Sequence, residues 1–387
     1  GAILSETKTE KIIYGQIDLD HLNHDRLHYK TSMQDLFHVN YTTVEFTSKP
    51  IEEIEFDRYI DAYPFVPNNQ DERIVRCLEI LHIQAQGLAT RLSKIHCKDV
   101  VIGISGGLDS TLALLVCHEA FKINNYDSKG IHAITMPGFG TTKRTKSNAQ
   151  ILMDLLHVSS EEISIVDGVN QHFKDIHHDP EVHDITYENS QARERTQILM
   201  DLSNAYNAIV VGTGDLSELA LGWCTYNGDH MSMYAVNASV PKTLVRYIVE
   251  SVALKDEILH DVLMDICDTP VSPELLPPDK NGKIAQKTEE VLGSYDLHDF
   301  FLYQMLRHHD EPKKIYDLAC VAFKDLEKET IKKAITTFYN RFFTQQFKRN
   351  CMSDGVKVGS ICFSPRGDWR MPSDASRNLW TKQVEEI

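Results

Sequence analysis

The spacing of apolar positions changes period twice in the first third of the chain. Between residues 70 and 95, Ile74, Leu78, Leu81, Ala85, Leu88, Leu92 and Ile95 recur at spacings of four and three. That spacing puts them on one stripe of an amphipathic helix. The next run, DVVIGI (99–104), is short, β-branched and almost uninterrupted. Both of its faces call for burial, as at the centre of a parallel sheet. SGGLDS follows, and then TLALLVCHEAF reads as a buried helix. IHAITM (131–136) gives a second strand, 142–157 a helix, EEISIV (161–166) a third strand, about 189–206 a long helix, and AIVVGTG (208–214) a fourth strand. Strands alternating with helices predict an α/β fold built on a doubly wound parallel sheet. After about residue 270 the pattern changes. TPVSPELLPPDKNGK is a Pro-rich loop, 285–350 is mostly helical, and 351–377 is a Gly/Pro/Ser-rich tail with little periodicity. At the other end, IIYGQIDLDHL alternates as a half-buried strand would, then turns polar and His-rich. Residues 1–45 cannot build a core alone. They are either a docked extension or the end of another domain.

Composition narrows the class. The 387 residues are 42% hydrophobic and 25% charged, which supports a large core and excludes wholesale disorder. No run approaches the roughly 18 apolar residues of a membrane-spanning helix. The N-terminus GAILSETKTEK has no basic region ahead of an apolar one, so no secretory signal is expected. A formal charge of −16 disfavours a nucleic-acid-coating role. The eight cysteines form no C-x-x-C pair, so a zinc knuckle is not expected. They read as plain thiols in a reducing, cytoplasmic setting. The pairs His177-His178 and His308-His309 sit in polar sequence and are expected to be solvated.

The chemistry concentrates in Ser105-Gly106-Gly107-Leu108-Asp109-Ser110, between a buried strand and a buried helix. Adjacent glycines let the backbone approach a ligand, and the N–H groups of the turn and first helical turn converge into an anion cradle. Ser105 and Ser110 add hydroxyls. The plainer reading is a tight turn with Asp109 or Ser110 as helix cap. No Walker lysine is present. A carboxylate inside a phosphate cradle is repulsive without a cation, which implies a Mg²⁺ bridging Asp109 and phosphate oxygens.

This loop resembles the pyrophosphate loop of the ATP pyrophosphatases, which cut ATP between its α and β phosphates and transfer AMP. The segment ENSQARERTQILMDLSNAYNAIVVGTGDLSELALGWCTYNGDHMSMYAVNASVPKTLVR (188–246) strongly resembles the synthetase domain of NAD synthetase. LGSYDLHDFFLYQ (292–304) and SPRGDWRMPSDASR (364–377) resemble the glutamine-dependent branch. The resemblance implies an adenine nucleotide alpha-hydrolase-like (Rossmann-like) fold. It divides the chain into 1–45, the end of a nitrilase-like glutaminase domain; 46–275, the ATP-pyrophosphatase core; and 276–387, a helical region with a substrate-closing tail.

The resemblance also implies roles. Deamido-NAD is adenylated by ATP and then amidated by ammonia. Asp109 and Glu218 are the metal ligands and, with Lys242, the catalytic set. Ser105, Gly106, Gly107, Ser110, Thr213, Lys242 and Ser272 contact ATP. Asn189, Arg193, Tyr226, Asp229, Lys348 and Lys357 contact deamido-NAD. Two departures from the short form stand out: Ala238 follows Asn237 where that form has a lysine, and Tyr226 replaces another lysine. Lys242 is expected to take over the first role. Lys143, Arg144 and Lys146 make a basic loop at the same sheet edge, a local attraction for polyphosphate within a negative field. The glutaminase nucleophile is not expected among the eight cysteines, so ammonia is the expected nitrogen donor, and a homo-oligomer is the expected assembly. The alternative is another AMP-forming member of the superfamily, such as a tRNA-modifying enzyme. A non-catalytic nucleotide-binding module is disfavoured because it has no need for two metal carboxylates.

Overall fold

A computed structural model describes residues 15–28, 42–47, 58–140, 143–269 and 292–387, without the side chains of 143–146. Ser272 and the strand expected over the first residues of IIYGQIDLDHL therefore lie outside the described residues. Among the described residues five parallel strands form one sheet, in the order β3-β2-β1-β4-β5. They are β1 (Val100–Gly103), β2 (Ile131–Thr135), β3 (Ser159–Glu162), β4 (Ile209–Gly212) and β5 (Tyr234–Ala235). Val100 pairs in register with Ile131 on one side and Ile209 on the other.

The centre of the sheet is as its sequence requires. Val100, Val101 and Ile102 are fully buried. Val100 and Ile102 face the main core with helices α2 (Gln70–Lys94), α3 (Leu108–Asn124) and α8 (Lys242–Ala253), while Val101 faces the opposite layer with Ile134, Phe173 and Tyr187. The α2 stripe follows its expectation over most of its length. Cys77, Leu81, Ala85, Leu88 and Leu92 are buried, but Ile95 is 45% exposed because the helix ends there and the chain turns away. The third strand also starts earlier than expected. It covers Ser159–Glu162 on the sheet edge, and Ile165 is buried at the start of α5 (Val166–Asp175), a helix that the sequence reading did not resolve.

The described part of the N-terminal segment is coil and then helix α1 (Leu19–His28), not strand. Asp18 supplies the reason: its carboxylate accepts from the His21 N–H at 3.1 Å and starts the helix. The same carboxylate pairs with Lys314 at 2.7 Å and Arg58 at 2.9 Å, which docks α1 against the C-terminal helices. His308 and His309 are accordingly not simply solvated, since His308 meets His21 at 3.1 Å and His309 stacks on His24. His178 pairs with Asp184 at 3.0 Å.

The remaining core is helical. It is formed by α10 (Tyr295–Tyr303), α11 (Pro312–Ala322), α12 (Lys328–Thr344) and α14 (Asn378–Glu385), around Phe300, Phe301, Phe338 and Phe342. The short helix α7 (Leu216–Leu221) packs into this cluster, although its chain position follows β4. The tail from 351 to 377 contains no helix or strand, as its composition predicts, and Trp369 in it packs on Phe342. Among the described residues no helix is long and apolar enough to cross a membrane.

Candidate active site

The strand order places the direction change of the winding between β1 and β4, where ligands of doubly wound sheets sit. Two loops leave the carboxyl ends of these strands and face each other. The first is Ser105–Ser110. Gly106 has φ of 83°, a left-handed conformation that favours glycine. Gly107 is the N-cap residue of α3 and brings no side-chain cap, so neither Asp109 nor Ser110 caps the helix. Capping by glycine leaves first-turn N–H groups free of a side-chain partner. The Ser110 hydroxyl donates to the Gly107 carbonyl at 3.1 Å and lies 3.1 Å from the Ser105 hydroxyl, which closes the loop on itself.

A buried amide relay holds the two loops together. Gln84 of α2 donates to the Asn237 side-chain oxygen at 3.0 Å, and Asn237 donates to the carbonyls of Asp109 and Thr213 at 2.9 and 3.0 Å. Both amides are fully buried, so their fixed bonding pattern sets the gap between the carboxyl ends of β1 and β4.

Across that gap stands a three-carboxylate cluster. Lys242 Nζ lies 2.7 Å from Asp109, 2.6 Å from Asp215 and 2.9 Å from Glu218. Asp215 and Glu218 belong to α7 and form a reciprocal capping box, which fixes their spacing before any ligand arrives. Lys242 opens α8, and its own N–H donates to the Ser217 hydroxyl at 2.8 Å. Asp299 of α10 closes the frame by accepting from Ser217 and from the N–H and hydroxyl of Thr243.

Burial dominates the electrostatics. It pushes Glu218 up to about 7, reinforced by the Asp109 carboxylate and opposed by Lys242. It raises Asp215 well above its ordinary value, against the pull of Lys242, and Asp299 to about 6. Burial alone lowers the Lys242 ammonium, but its three carboxylates outweigh that and hold it above its ordinary value. Three carboxylates against one ammonium leave excess negative charge. Their ligand oxygens lie within 4.8 Å of one another, and Asp109 Oδ1 is buried with no hydrogen-bond partner among the described residues. A hard divalent cation fits this donor set.

A cavity of about 570 Å³ opens from this cluster. It brings together Ser105, Gly107, Asp109, Ser110, Thr213, Glu218, Lys242, Asn189, Asp229 and Lys348. In its lining Asn189 accepts from the Thr225 hydroxyl at 2.8 Å, and Asp229 accepts from the Thr225 N–H at 2.8 Å. Gly106, Arg193, Tyr226 and Lys357 do not line it. Arg193 Nε donates to the Tyr226 carbonyl, the Tyr226 ring packs on Phe347, and Lys357 pairs with Asp368 at 2.6 Å.

Lys348 lines the cavity but is occupied: it donates to the carbonyls of Gly222 and Cys224 at 2.8 and 2.6 Å. Arg341 donates to the Leu221 carbonyl at 2.9 Å and stacks on Trp223. Arg349, 1% exposed, donates to the carbonyls of Leu219 and Ala220 at 3.1 and 2.8 Å and lies between Phe342 and Phe363. Three cations thus gather at the carboxyl end of the helix that carries Glu218, and the chain leaves through Gly222 at φ 57°. A Cβ there would meet Gln345 Cβ at 2.3 Å. Arg349→Met removes three bonds to backbone carbonyls, those of Leu219, Ala220 and Phe342, and should cost about 3 kcal/mol of unfolding free energy. Denaturant titration checks this, and an unchanged midpoint removes Arg349 from the support of α7.

Two residues of the cluster's frame escaped the sequence reading. Asp215 was legible in principle, because Asp215 and Glu218 of GTGDLSE have the capping-box spacing. Asp299 carried no local signal, since its partners lie 56 and 82 residues away.

Residues 80–351 match the family model for NAD synthase. The chain belongs to the NAD synthase family. It is 40% identical over 370 residues to a glutamine-dependent NAD(+) synthetase of Mycobacterium leprae (strain TN), covering 88% of this chain and 54% of that protein. The corresponding protein of Mycobacterium tuberculosis (strain ATCC 25618 / H37Rv) is 36% identical over 422 aligned positions, covering 100% of this chain and 62% of the relative. The chain therefore spans a little over half the length of these relatives. Among solved structures, a glutamine-dependent NAD(+) synthetase from Cytophaga hutchinsonii superposes with a TM-score of 0.66 at 19% identity, over 80% of this chain and 56% of that one, which supports the shared fold.

Proposed function

We propose that this chain makes NAD from deamido-NAD, ATP and ammonia. The observation that carries the proposal is the Asp109–Asp215–Glu218–Lys242 cluster at the crossover of the sheet, in a chain of the NAD synthase family. A nicotinate carboxylate oxygen attacks the α-phosphorus of ATP, and pyrophosphate leaves. Ammonia then attacks the carbonyl carbon of the acyl-adenylate, a proton is lost, and AMP leaves.

Asp109 and Glu218, with Asp215 behind them, would hold Mg²⁺, which supplies charge neutralisation to the departing pyrophosphate. Lys242 is a cation already within 3 Å of the same carboxylates, in the expected role of the missing short-form lysine. The Ser105–Ser110 loop receives the phosphates, with Thr213 and Ser272 as further ATP contacts. Asn189 and Asp229 bind the deamido-NAD end, with Lys348 holding the loop at which they meet. Arg193, Tyr226 and Lys357 act in this reading only when substrate draws them in. Positioning and charge carry most of such a reaction.

The proposal extends to the setting. All eight cysteines lie among the described residues and are free, which supports a reducing cytoplasm. The relatives are named glutamine-dependent, which is consistent with a glutaminase domain as partner; in this reading residues 1–45 are its end, 46–275 the nucleotide-binding core and 276–387 the closing region. Exposed Ile17, Leu19, Leu27, Val44 and Phe46 support self-association.

The test is pyrophosphate release from Mg-ATP. It should depend on added deamido-NAD and lead to NAD when ammonium chloride is present, with rate rising as pH increases the NH₃ fraction. Release without deamido-NAD, or release directed by RNA, sinks the reading. NAD formed equally well from ammonium-free glutamine sinks the ammonia assignment.

A further inference from the structure

The C-terminal helical layer delivers one residue to the cavity that the cluster does not use. Gly293, at φ 92°, turns the chain, and the Ser294 hydroxyl caps α10 by accepting from the Asp296 N–H. Tyr295 is then the first residue of the helix and lies beside the carboxylate cluster. It is 4% exposed, lines the 570 Å³ cavity, and its ring lies 5.4 Å from Lys242 Nζ.

Its hydroxyl is buried and has no hydrogen-bond partner among the described residues. A buried hydroxyl without a partner is costly, and native proteins rarely keep one without a use. Burial, opposed by the Lys242 ammonium and reinforced by Glu218, Asp215 and Asp109, raises the phenol well above its ordinary value, so the group stays neutral and keeps its proton to donate.

We infer that Tyr295 is a nucleotide contact: its hydroxyl donates a hydrogen bond to a phosphate oxygen of ATP bound over Asp109, Glu218 and Lys242. This rests on the function proposed above. An anionic oxygen is the acceptor that best matches a neutral donor beside an ammonium. Through this bond the nucleotide is gripped from both layers, by the loop after β1 and by the start of α10. The site is then incomplete without the helical layer.

The fold offers its own control. Tyr339 of α12 also has a buried hydroxyl without a partner among the described residues, but it does not line the cavity. Calorimetric titration of the whole chain with Mg-ATP, paired with thermal melts of the free protein, separates the roles. Tyr295→Phe should melt no lower than wild type when free, because no bond is lost, and should bind Mg-ATP about 10- to 100-fold more weakly. Tyr339→Phe should bind as wild type does. Unchanged affinity in Tyr295→Phe, with the free protein less stable, makes the hydroxyl structural and overturns the contact. A wild-type protein that takes up no Mg-ATP overturns the nucleotide reading itself, and this inference with it.

Discussion

Asp109→Asn and Glu218→Gln should each lower deamido-NAD-dependent pyrophosphate release by about 10²- to 10⁴-fold. Each change keeps side-chain size and removes one charge from the oxygens that face the phosphates. The free protein should hold its stability or gain some. Lys242 faces three carboxylates within 3 Å, so the site carries surplus negative charge, and neutralising one of them relieves repulsion. The remaining two still pair with the ammonium. A rate loss at an unchanged or higher melting temperature therefore separates a catalytic effect from a folding one. Near-normal release in either variant removes that carboxylate from the metal site, and a collapsed melting temperature makes it structural.

The centre of the fold was legible because its physics is local. VVIG must be buried on both sides, and the two glycines after it must turn tightly. The structure gives them the central strand and the turn at its end. Asp109, Glu218 and Lys242 were joined as a set by the family resemblance, and the structure brings Lys242 within 3 Å of both carboxylates. What was not legible is decided between distant segments. IIYGQIDLDHL alternates like a strand, yet Asp18 caps a helix whose partners, Lys314 and Arg58, lie far along the chain. EEISIV has strand composition, but the β2 register ends at Glu162; Ile163 still donates to the Thr135 carbonyl, and Ile165 then enters the core as the cap of α5. Lysines posed the same problem. The resemblance makes Lys348 a deamido-NAD contact, and only the structure shows that it lines the cavity while donating to the carbonyls of Gly222 and Cys224.

α7 ties these observations into one device. Its amino end carries the capping box that sets Asp215 and Glu218, and its carboxyl end is held by Arg341, Lys348 and Arg349. Cations at the carboxyl end and carboxylates at the amino end both complement the helix dipole. The six-residue helix could not hold this orientation by propensity alone. The helical layer therefore sets the position of Glu218, directly at the end of α7 and through Asp299, which bonds both α7 and α8.

Lys242→Met should be the most destabilising change at this site, and its cost should depend on pH. Removing the ammonium leaves three crowded carboxylates without their cation, a loss of about 3–5 kcal/mol. In the wild-type protein Glu218 has a folded value of about 7 against an ordinary 4.5. Its proton uptake thus stabilises the fold fully below about 4.5, and that contribution is lost as pH rises through about 7. Without Lys242, which opposes the upward shift, the same window moves to higher pH. The variant should be far less stable than wild type at pH 8, and the gap should narrow at pH 6 as Glu218 and Asp215 take up protons. Millimolar Mg²⁺ should raise the stability of the variant at pH 8 more than that of wild type, because the ion then meets carboxylates with no competing ammonium. Guanidinium titrations at the two pH values, with and without Mg²⁺, read all three effects. A variant as stable as wild type at pH 8, or one that gains stability as pH rises, means that Lys242 does not hold the three carboxylates together.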